Sequence, residues 1–190
     1  MAETAQKIAL AVDNATGSET KHLNIGCGFS KLARAFNVDG FANCEPDKVW
    51  NLNVTPYPWK DNEWDMITAF HVMEHLDHWW DAFRECARIV KPGGTIEIRV
   101  PHPSSDSAVT YRDHLHTIDL RSFDGVMDGP QRTTNAWFEQ NKRVPVTLVS
   151  YHLVPFKQYN WMPSWMLSFC ASHLRNFIWE QRIVFRKIGD

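Results

Sequence analysis

The strongest constraint on what this chain can fold into is an alternation in its first hundred residues, where short apolar segments of strand length are each followed by a turn and a crossover. His22-Leu23-Asn24-Ile25 runs into Gly26-Cys27-Gly28, and Ser30 then reads as the N-cap of a helix carrying Leu32, Ala33 and Phe36. Phe41 to Cys44 reads as a second strand closed by Glu45-Pro46. Val49 to Val54 is a weaker third strand before the proline-rich loop Thr55 to Trp59, and Asp65 to Phe70 is a fourth. Asp77 is placed to cap a helix to about Val90, because Trp80, Phe83, Ala87 and Val90 recur at the spacing of one helical face. Lys91-Pro92-Gly93-Gly94 stops that helix, and Thr95 to Val100 follows as a fifth strand. Strand and crossover in this order generate a doubly wound, mainly parallel sheet, an α/β Rossmann-like architecture.

After Pro101 the pattern lapses until a helix expected over Trp161 to Ile178, with Met166, Phe169, Cys170, Phe177 and Ile178 as its apolar positions, and a last strand over Gln181 to Ile188. Residues 1 to 20 read as a loosely held lead-in with one short helix from Glu3 to Val12, and 21 to 190 as a single domain. The length of 190 residues, with 44% apolar and 22% charged residues, suits one globular core and excludes a largely disordered chain. A net charge of −2 argues against duplex nucleic acid as a partner. Residues 141 to 190 nevertheless hold seven Lys/Arg against two Asp/Glu and are rich in aromatics. The four cysteines form no CxxC pair, which fits a reducing compartment, and no run suits a signal peptide or membrane span, so a cytoplasmic protein is expected.

In such a sheet, ligands bind at the carboxyl ends of the strands. Gly26 and Gly28 lie at the first of these ends, where the absence of Cβ atoms permits a sharp turn and close approach of backbone amides to a ligand. A dinucleotide fingerprint needs a third glycine where this chain has Lys31, which disfavours NAD and FAD. Nineteen residues after Gly26, Glu45 is placed to accept hydrogen bonds from both hydroxyls of a ribose. Its plainer reading is a solvated loop acid beside Pro46.

The segments Leu23-Asn24-Ile25-Gly26-Cys27-Gly28, Trp64-Asp65, His71-Val72-Met73-Glu74-His75-Leu76 and Arg88-Ile89-Val90-Lys91-Pro92-Gly93-Gly94 together resemble class I S-adenosylmethionine (SAM)-dependent methyltransferases. Over residues 22 to 102 the chain looks like the short bacterial and phage members that carry a Pro-aromatic-Pro-aromatic loop. The resemblance implies a seven-stranded sheet with an antiparallel last strand, and SAM as cofactor. Ile25, Gly26, Cys27 and Gly28 would then meet its methionine portion, Glu45 and Pro46 the ribose, Asn51 and Leu52 the adenine, and Phe70 and His71 the sulfonium end. The adenine position, commonly Asp in this class, is Asn51 here, with Asn53 as a register alternative, and the ribose acid is Glu where Asp is commoner.

Methyl transfer needs orientation and desolvation more than covalent help, and where the acceptor is a hydroxyl or a protonated amine a histidine is the natural proton acceptor. His71, His102 and His116 are the candidates. His116 closes a stretch, Asp113-His114-Leu115-His116, that keeps the ends of an Asp-Pro-Thr-His run frequent in similar proteins. His71-Val72-Met73-Glu74-His75 also matches the H-x-x-E-H pattern of zinc hydrolases, but it follows a strand instead of lying within a helix, so no metal is expected. The chain lacks the Pro-Pro-aromatic stretch of DNA amino-methyltransferases and any Pro-Cys dipeptide. A small-molecule, saccharide or amphiphilic acceptor is left, with a SAM-binding protein that does not transfer methyl groups as the rival class. Trp161, Trp165, Phe169, Phe177 and Trp179 read most simply as core and lid packing, and otherwise as a surface for an amphiphilic substrate.

Overall fold

A computed structural model of the chain describes residues 20–124 and 144–189. The expected lead-in, with its helix from Glu3 to Val12, therefore lies outside the described residues apart from residue 20. Seven strands, β1 (His22–Ile25), β2 (Phe36–Asp39), β3 (Lys48–Val49), β4 (Trp64–Phe70), β5 (Val90–Pro101), β6 (Val146–Pro155) and β7 (Ile178–Lys187), form one sheet in the order β3-β2-β1-β4-β5-β7-β6. Neighbours from β3 through β5 are parallel, and β7 runs antiparallel to both β5 and β6. This is the doubly wound, mostly parallel sheet that the sequence predicts, antiparallel last strand included.

One face of the sheet is apolar. Side chains two apart share a face, and the register sets Leu23 and Ile25 beside Ile67 and Ala69, then Ile96 and Ile98, then Phe185 and Ile183. Against it lies α1 (Trp79–Ile89), which buries Ala82, Phe83, Cys86, Ala87 and Ile89. Phe83, Phe123 and Phe185 close the core with ring centroids 4.9 to 5.1 Å apart. Each fully buried phenylalanine contributes about 1.5–3 kcal/mol of transfer free energy. His78, not Asp77, occupies the N-cap of α1, without a side-chain hydrogen bond. Lys91 to Gly94 is already part of β5, which begins where the helix ends.

The opposite face is polar yet buried. Asn24 lies directly between Asn37 of β2 and Thr68 of β4. Its amide donates to Asn37 Oδ1 at 2.9 Å, its carbonyl oxygen accepts from Thr68 Oγ1 at 3.0 Å, and His22 Nε2 meets the same hydroxyl at 3.1 Å. Farther along the same face, Glu97 pairs with both Arg99 and Arg182, and the Arg99 guanidinium covers the Phe70 ring at 4.0 Å.

This polar chain accounts for the main departure from expectation. The helix predicted from Ser30 does not form, and β1 joins β2 through a loop of turns over residues 26–35. Asn37 holds that loop: it accepts from Leu32 N–H at 2.9 Å and donates to the carbonyls of Leu32 at 3.1 Å and Ala35 at 2.8 Å. Ala33 and Phe36, expected on a buried helical face, are exposed. The second strand thus comes earlier than predicted and ends at Asp39, while Phe41 to Cys44 is a turn with a short 3-10 segment, Ala42–Cys44. The predicted strand Val49 to Val54 shrinks to β3. Strand β6 was not anticipated, and the helix expected over Trp161 to Ile178 is the shorter α3 (Ser164–His173), preceded in the chain by a one-turn α2 (Ser107–Thr110).

Burial drives the pKa of His22 down to about 4, so the folded protein holds it neutral. In the unfolded chain this group takes a proton below pH 6.5, and stability therefore falls as pH drops from about 6.5 toward 4. The substitution His22→Gln, which keeps a polar partner for Thr68, is expected to flatten that part of a melting-temperature-against-pH curve. Asn37→Ala is expected to lower the unfolding free energy by about 2–4 kcal/mol in denaturant titration, since it strands buried amide and carbonyl groups of the loop.

Candidate functional site

The carboxyl ends of β1 to β5 share one edge of the sheet, and there the backbone takes unusual conformations. Gly26 has φ +66°, and a Cβ added to it would collide with the Val72 side chain. Gly28 has φ +48°, and a Cβ there would meet nothing within 4 Å. The first glycine is required by packing, and the second borders open space that suits a close-lying ligand. Gly28 N–H donates to Asp39 Oδ2 at 2.8 Å, and Phe41 N–H donates to Asp39 Oδ1 at 2.8 Å. Two amides thus hold the acid that ends β2, with lone pairs left on its carboxylate for further donors.

Asn51 and Leu52 adjoin that acid, because Trp50 N–H donates to the Asp39 carbonyl at 2.9 Å. Asn51 is exposed, its carbonyl oxygen accepting from Asn53 N–H at 3.0 Å. Asn53, the register alternative, instead spends its own carbonyl oxygen on Asp77 N–H at 3.0 Å. Leu52 is buried, and its backbone carbonyl accepts from Tyr57 Oη at 3.0 Å. Ile25 is core, and Cys27 forms a buried floor whose thiol is pushed up to about 12 by burial, helped by Cys44 and Asp39. Phe70 and His71 close β4 at the same edge.

Glu45 does not stand where the sequence placed it. It caps the 3-10 turn at φ +52°, exposed, with its backbone carbonyl accepting from Lys31 Nζ at 2.8 Å, and Pro46 follows it, half-buried. The acid at the end of the second strand is Asp39. The signal that could have found it is the Asn-Val-Asp run of Asn37 to Asp39, whose polar first residue disguised the strand.

The three histidines differ in what their rings can do. His71, at φ +51°, has Nε2 2.7 Å from Glu180 Oε2 and Nδ1 3.3 Å from Glu74 Oε1. Burial pulls its pKa down, but the Glu180 and Glu74 carboxylates outweigh burial and raise it to about 9. At neutral pH His71 is therefore an imidazolium without a free lone pair, packed at a tilt beside Trp179 with ring centroids 5.1 Å apart, which does not suit it to the role of base that the sequence proposed. His102 is kept neutral by burial, which outweighs the opposing Asp119, but its Nδ1 accepts from Ser104 N–H at 3.1 Å. His116 Nε2 donates to the Asp77 carbonyl at 3.2 Å, a bond that leaves the lone pair on Nδ1. Backbone bonds from Leu115 and His116 N–H to the Glu74 carbonyl hold this stretch against the segment that follows β4.

The sheet order, the glycine turn and an acid closing the second strand form the frame on which a cofactor is cradled in class I methyltransferases. A methyltransferase-domain family profile matches residues 2–143. The chain belongs to the methyltransferase-domain family. It is an enzyme of that family. Solved structures with the same fold include a provisionally assigned sarcosine dimethylglycine methyltransferase from Galdieria sulphuraria, at TM-score 0.61 and 16% identity over 98% of this chain and 85% of that one. A SAM-dependent methyltransferase from Archaeoglobus fulgidus aligns at 0.55 and 13% identity over 98% and 95%. The [4+2]-cyclase SpnF aligns at 0.55 and 13% identity over 98% and 82%. No curated protein matches the sequence.

The residues at this edge suit a cofactor, since a Cβ at Gly28 would meet nothing within 4 Å and each Asp39 oxygen, accepting one backbone amide, keeps a lone pair for a further donor. A separate cleft of about 540 Å³, lined by Asp61, Arg84, Glu85, Arg88 and Lys187, opens at the opposite, amino edge of the sheet. In an alternating sheet that is the wrong end for the cofactor.

The two glycines are expected to separate on substitution. Gly26→Ala should destabilise the fold by about 2–5 kcal/mol, adding backbone strain to the clash with Val72. Gly28→Val should leave the fold within about 2 kcal/mol of wild type but abolish SAM binding in calorimetry, because its side chain enters the open space.

Proposed function

We propose that this enzyme transfers a methyl group from SAM to a small amphiphilic acceptor, with the cofactor lying along the carboxyl edge from Gly28 through Asp39 to Asn51. The observation that carries this reading is Asp39: an acid at the end of β2, held by two backbone amides and still able to accept from a pair of ribose hydroxyls. Gly26, Cys27 and Gly28 would line the methionine portion, Asn51 and Leu52 the adenine, and Phe70 and His71 the sulfonium end.

The bound cofactor supplies a methyl group activated by a sulfonium. The chain's residues supply position and a proton route. Phe70, fixed under Arg99, offers an apolar ring face at the edge. His71 is locked by Glu180 and Glu74, so it orients the end of β4 and leaves proton removal to another group. His116, with its lone pair on Nδ1, is the histidine suited to take a proton from a hydroxyl or amine acceptor.

An amphiphilic acceptor is supported by α3. This helix lies between the carboxyl end of β6 and the start of β7, so it stands at the same edge. Trp161 is 74% exposed and Trp165 70%, with Phe169 and Leu174 also exposed, where the sequence suggested packed core or lid. Phe177 and Trp179 are half-buried, Phe177 stacking on Tyr159 at 4.5 Å. Among the described residues, no helix is long and apolar enough to cross a membrane.

Asp39→Ala is expected to weaken SAM roughly ten- to a hundredfold in calorimetric titration, the worth of a charge-assisted hydrogen-bond pair to hydroxyls. Glu45→Ala should bind within about twofold of wild type. The reverse ranking would return the ribose to Glu45, and indifference at both positions would sink the site. In an acceptor screen, His116→Ala should lower turnover about 10²–10⁴-fold with SAM affinity unchanged, whereas His102→Ala should not.

A further inference from the structure

We propose that Glu74, His75 and His114 form a binding site for a divalent transition-metal ion such as Zn²⁺, beside the end of β4. A carboxylate oxygen of Glu74 and one ring nitrogen from each histidine lie within 4.8 Å of one another. Bonds of about 2.0–2.2 Å to a central ion require ligand atoms about 3–4 Å apart, so small rotations of the two half-buried rings close the shell.

Three observations point to a ligand here. Glu74 is 1% exposed, and neither carboxylate oxygen has a hydrogen bond. His71 Nδ1 pairs with Oε1 at 3.3 Å while its Nε2 bonds Glu180 at 2.7 Å. Oε2 is left buried with no hydrogen-bond partner among the described residues, and a coordinated cation would supply one. His114 Nδ1 is likewise buried without a partner. His75 Nδ1 lies 2.9 Å from the Asp113 carbonyl, to which it must donate, with the Asp113 carboxylate at 3.4 Å. That bond fixes the tautomer with the lone pair on Nε2, the outer arrangement that metal-bound histidines use.

Two histidines and one carboxylate suit zinc, iron(II) or manganese(II) and leave coordination positions open for water or an acceptor oxygen. The sequence argued against a metal because the motif that would pair His71 with His75 follows a strand instead of lying within a helix. His71 is instead occupied by Glu180, and the second histidine comes from His114, 39 residues after His75. The other grouping of this kind among the described residues, Cys27, Asp39 and Cys44, belongs to the cofactor edge.

The test is titration of chelator-treated full-length protein with Co²⁺, reading visible d–d absorption, followed by displacement with Zn²⁺ and a thermal melt with Zn²⁺ present. One equivalent per chain, with nitrogen-ligand bands lost on Zn²⁺ addition and a raised melting temperature, is expected. His114→Ala and His75→Ala should each weaken Co²⁺ by more than the roughly 10- to 100-fold that removing a supporting residue costs. The exposed His152→Ala should match wild type. Absence of a one-equivalent Co²⁺ signal in wild type overturns the site, as does binding unchanged in both His114→Ala and His75→Ala. SAM calorimetry on the same samples keeps the two readings apart: a protein that binds Co²⁺ but not SAM refutes the cofactor placement alone, and the converse refutes the metal alone.

Discussion

The chain of buried hydrogen bonds from His22 through Thr68 and Asn24 to Asn37 is the interaction on which the rest of this molecule depends. Parallel strands ordinarily need a crossover of a dozen or more residues, usually with a helix that packs on the sheet. Here the loop of residues 26–35 suffices, because Asn37 supplies from within the sheet the donors and acceptors that a helix would have satisfied internally. Fixing Asn37 also fixes Asp39 two residues on, on the same side of the pleat. The glycine turn and the acid that faces it are thereby positioned by one side chain, and an unpaired amide at 37 would disturb both.

This economy explains what hydropathy could read and what it could not. Leu23, Ile25, Ile67, Ala69, Ile96 and Ile98 announce three adjacent parallel strands because they sit on the face that packs on α1, and Phe83 and Ala87 announce the helix for the same reason. Strand β2 was misread because its buried members include the polar Asn37, which is satisfied by Asn24 of β1 and by Leu32 and Ala35 of the preceding loop, while Phe41 to Cys44 looked more strand-like and is a turn. The same misreading placed the acid that closes the second strand at Glu45, where the structure has Asp39. Strand β6 escaped notice because it is an edge strand whose Thr147, Leu148 and Val149 are exposed, so no alternation marks a buried face.

The carboxyl edge of the sheet, along which we propose the cofactor lies, was legible where backbone chemistry dictates residue type. Gly26 and Gly28 occupy positive φ, and Asn51, Leu52, Phe70 and His71 do reach the same edge. The proton chemistry was not legible, since the character of a histidine is set by its neighbours. His71 became an imidazolium through Glu180, which β7 delivers from 109 residues away. Nothing local to His71 in the sequence carries that information.

The antiparallel return of β7 therefore does more than complete the sheet. It brings Trp179 against the ring of His71 and Glu180 against its Nε2, while Asn176, just before β7, donates through its backbone to the Ser104 carbonyl and its side chain binds Asp106. The carboxyl edges of β4 and β5 are thus clamped by the same strand start. A positively charged His71 in such a clamp is poorly placed to accept a proton, but it is well suited to hold the end of β4 in its left-handed conformation. In the function proposed above, proton acceptance then falls to the segment around His116, which is tied to the stretch after β4 by the Glu74 and Asp77 carbonyls and by the bond between His75 Nδ1 and the Asp113 carbonyl. In that reading the edge braced by β7 and the segment that would meet the acceptor are different parts of the chain, and this separation would let the acceptor side vary in sequence without disturbing the part that binds the cofactor.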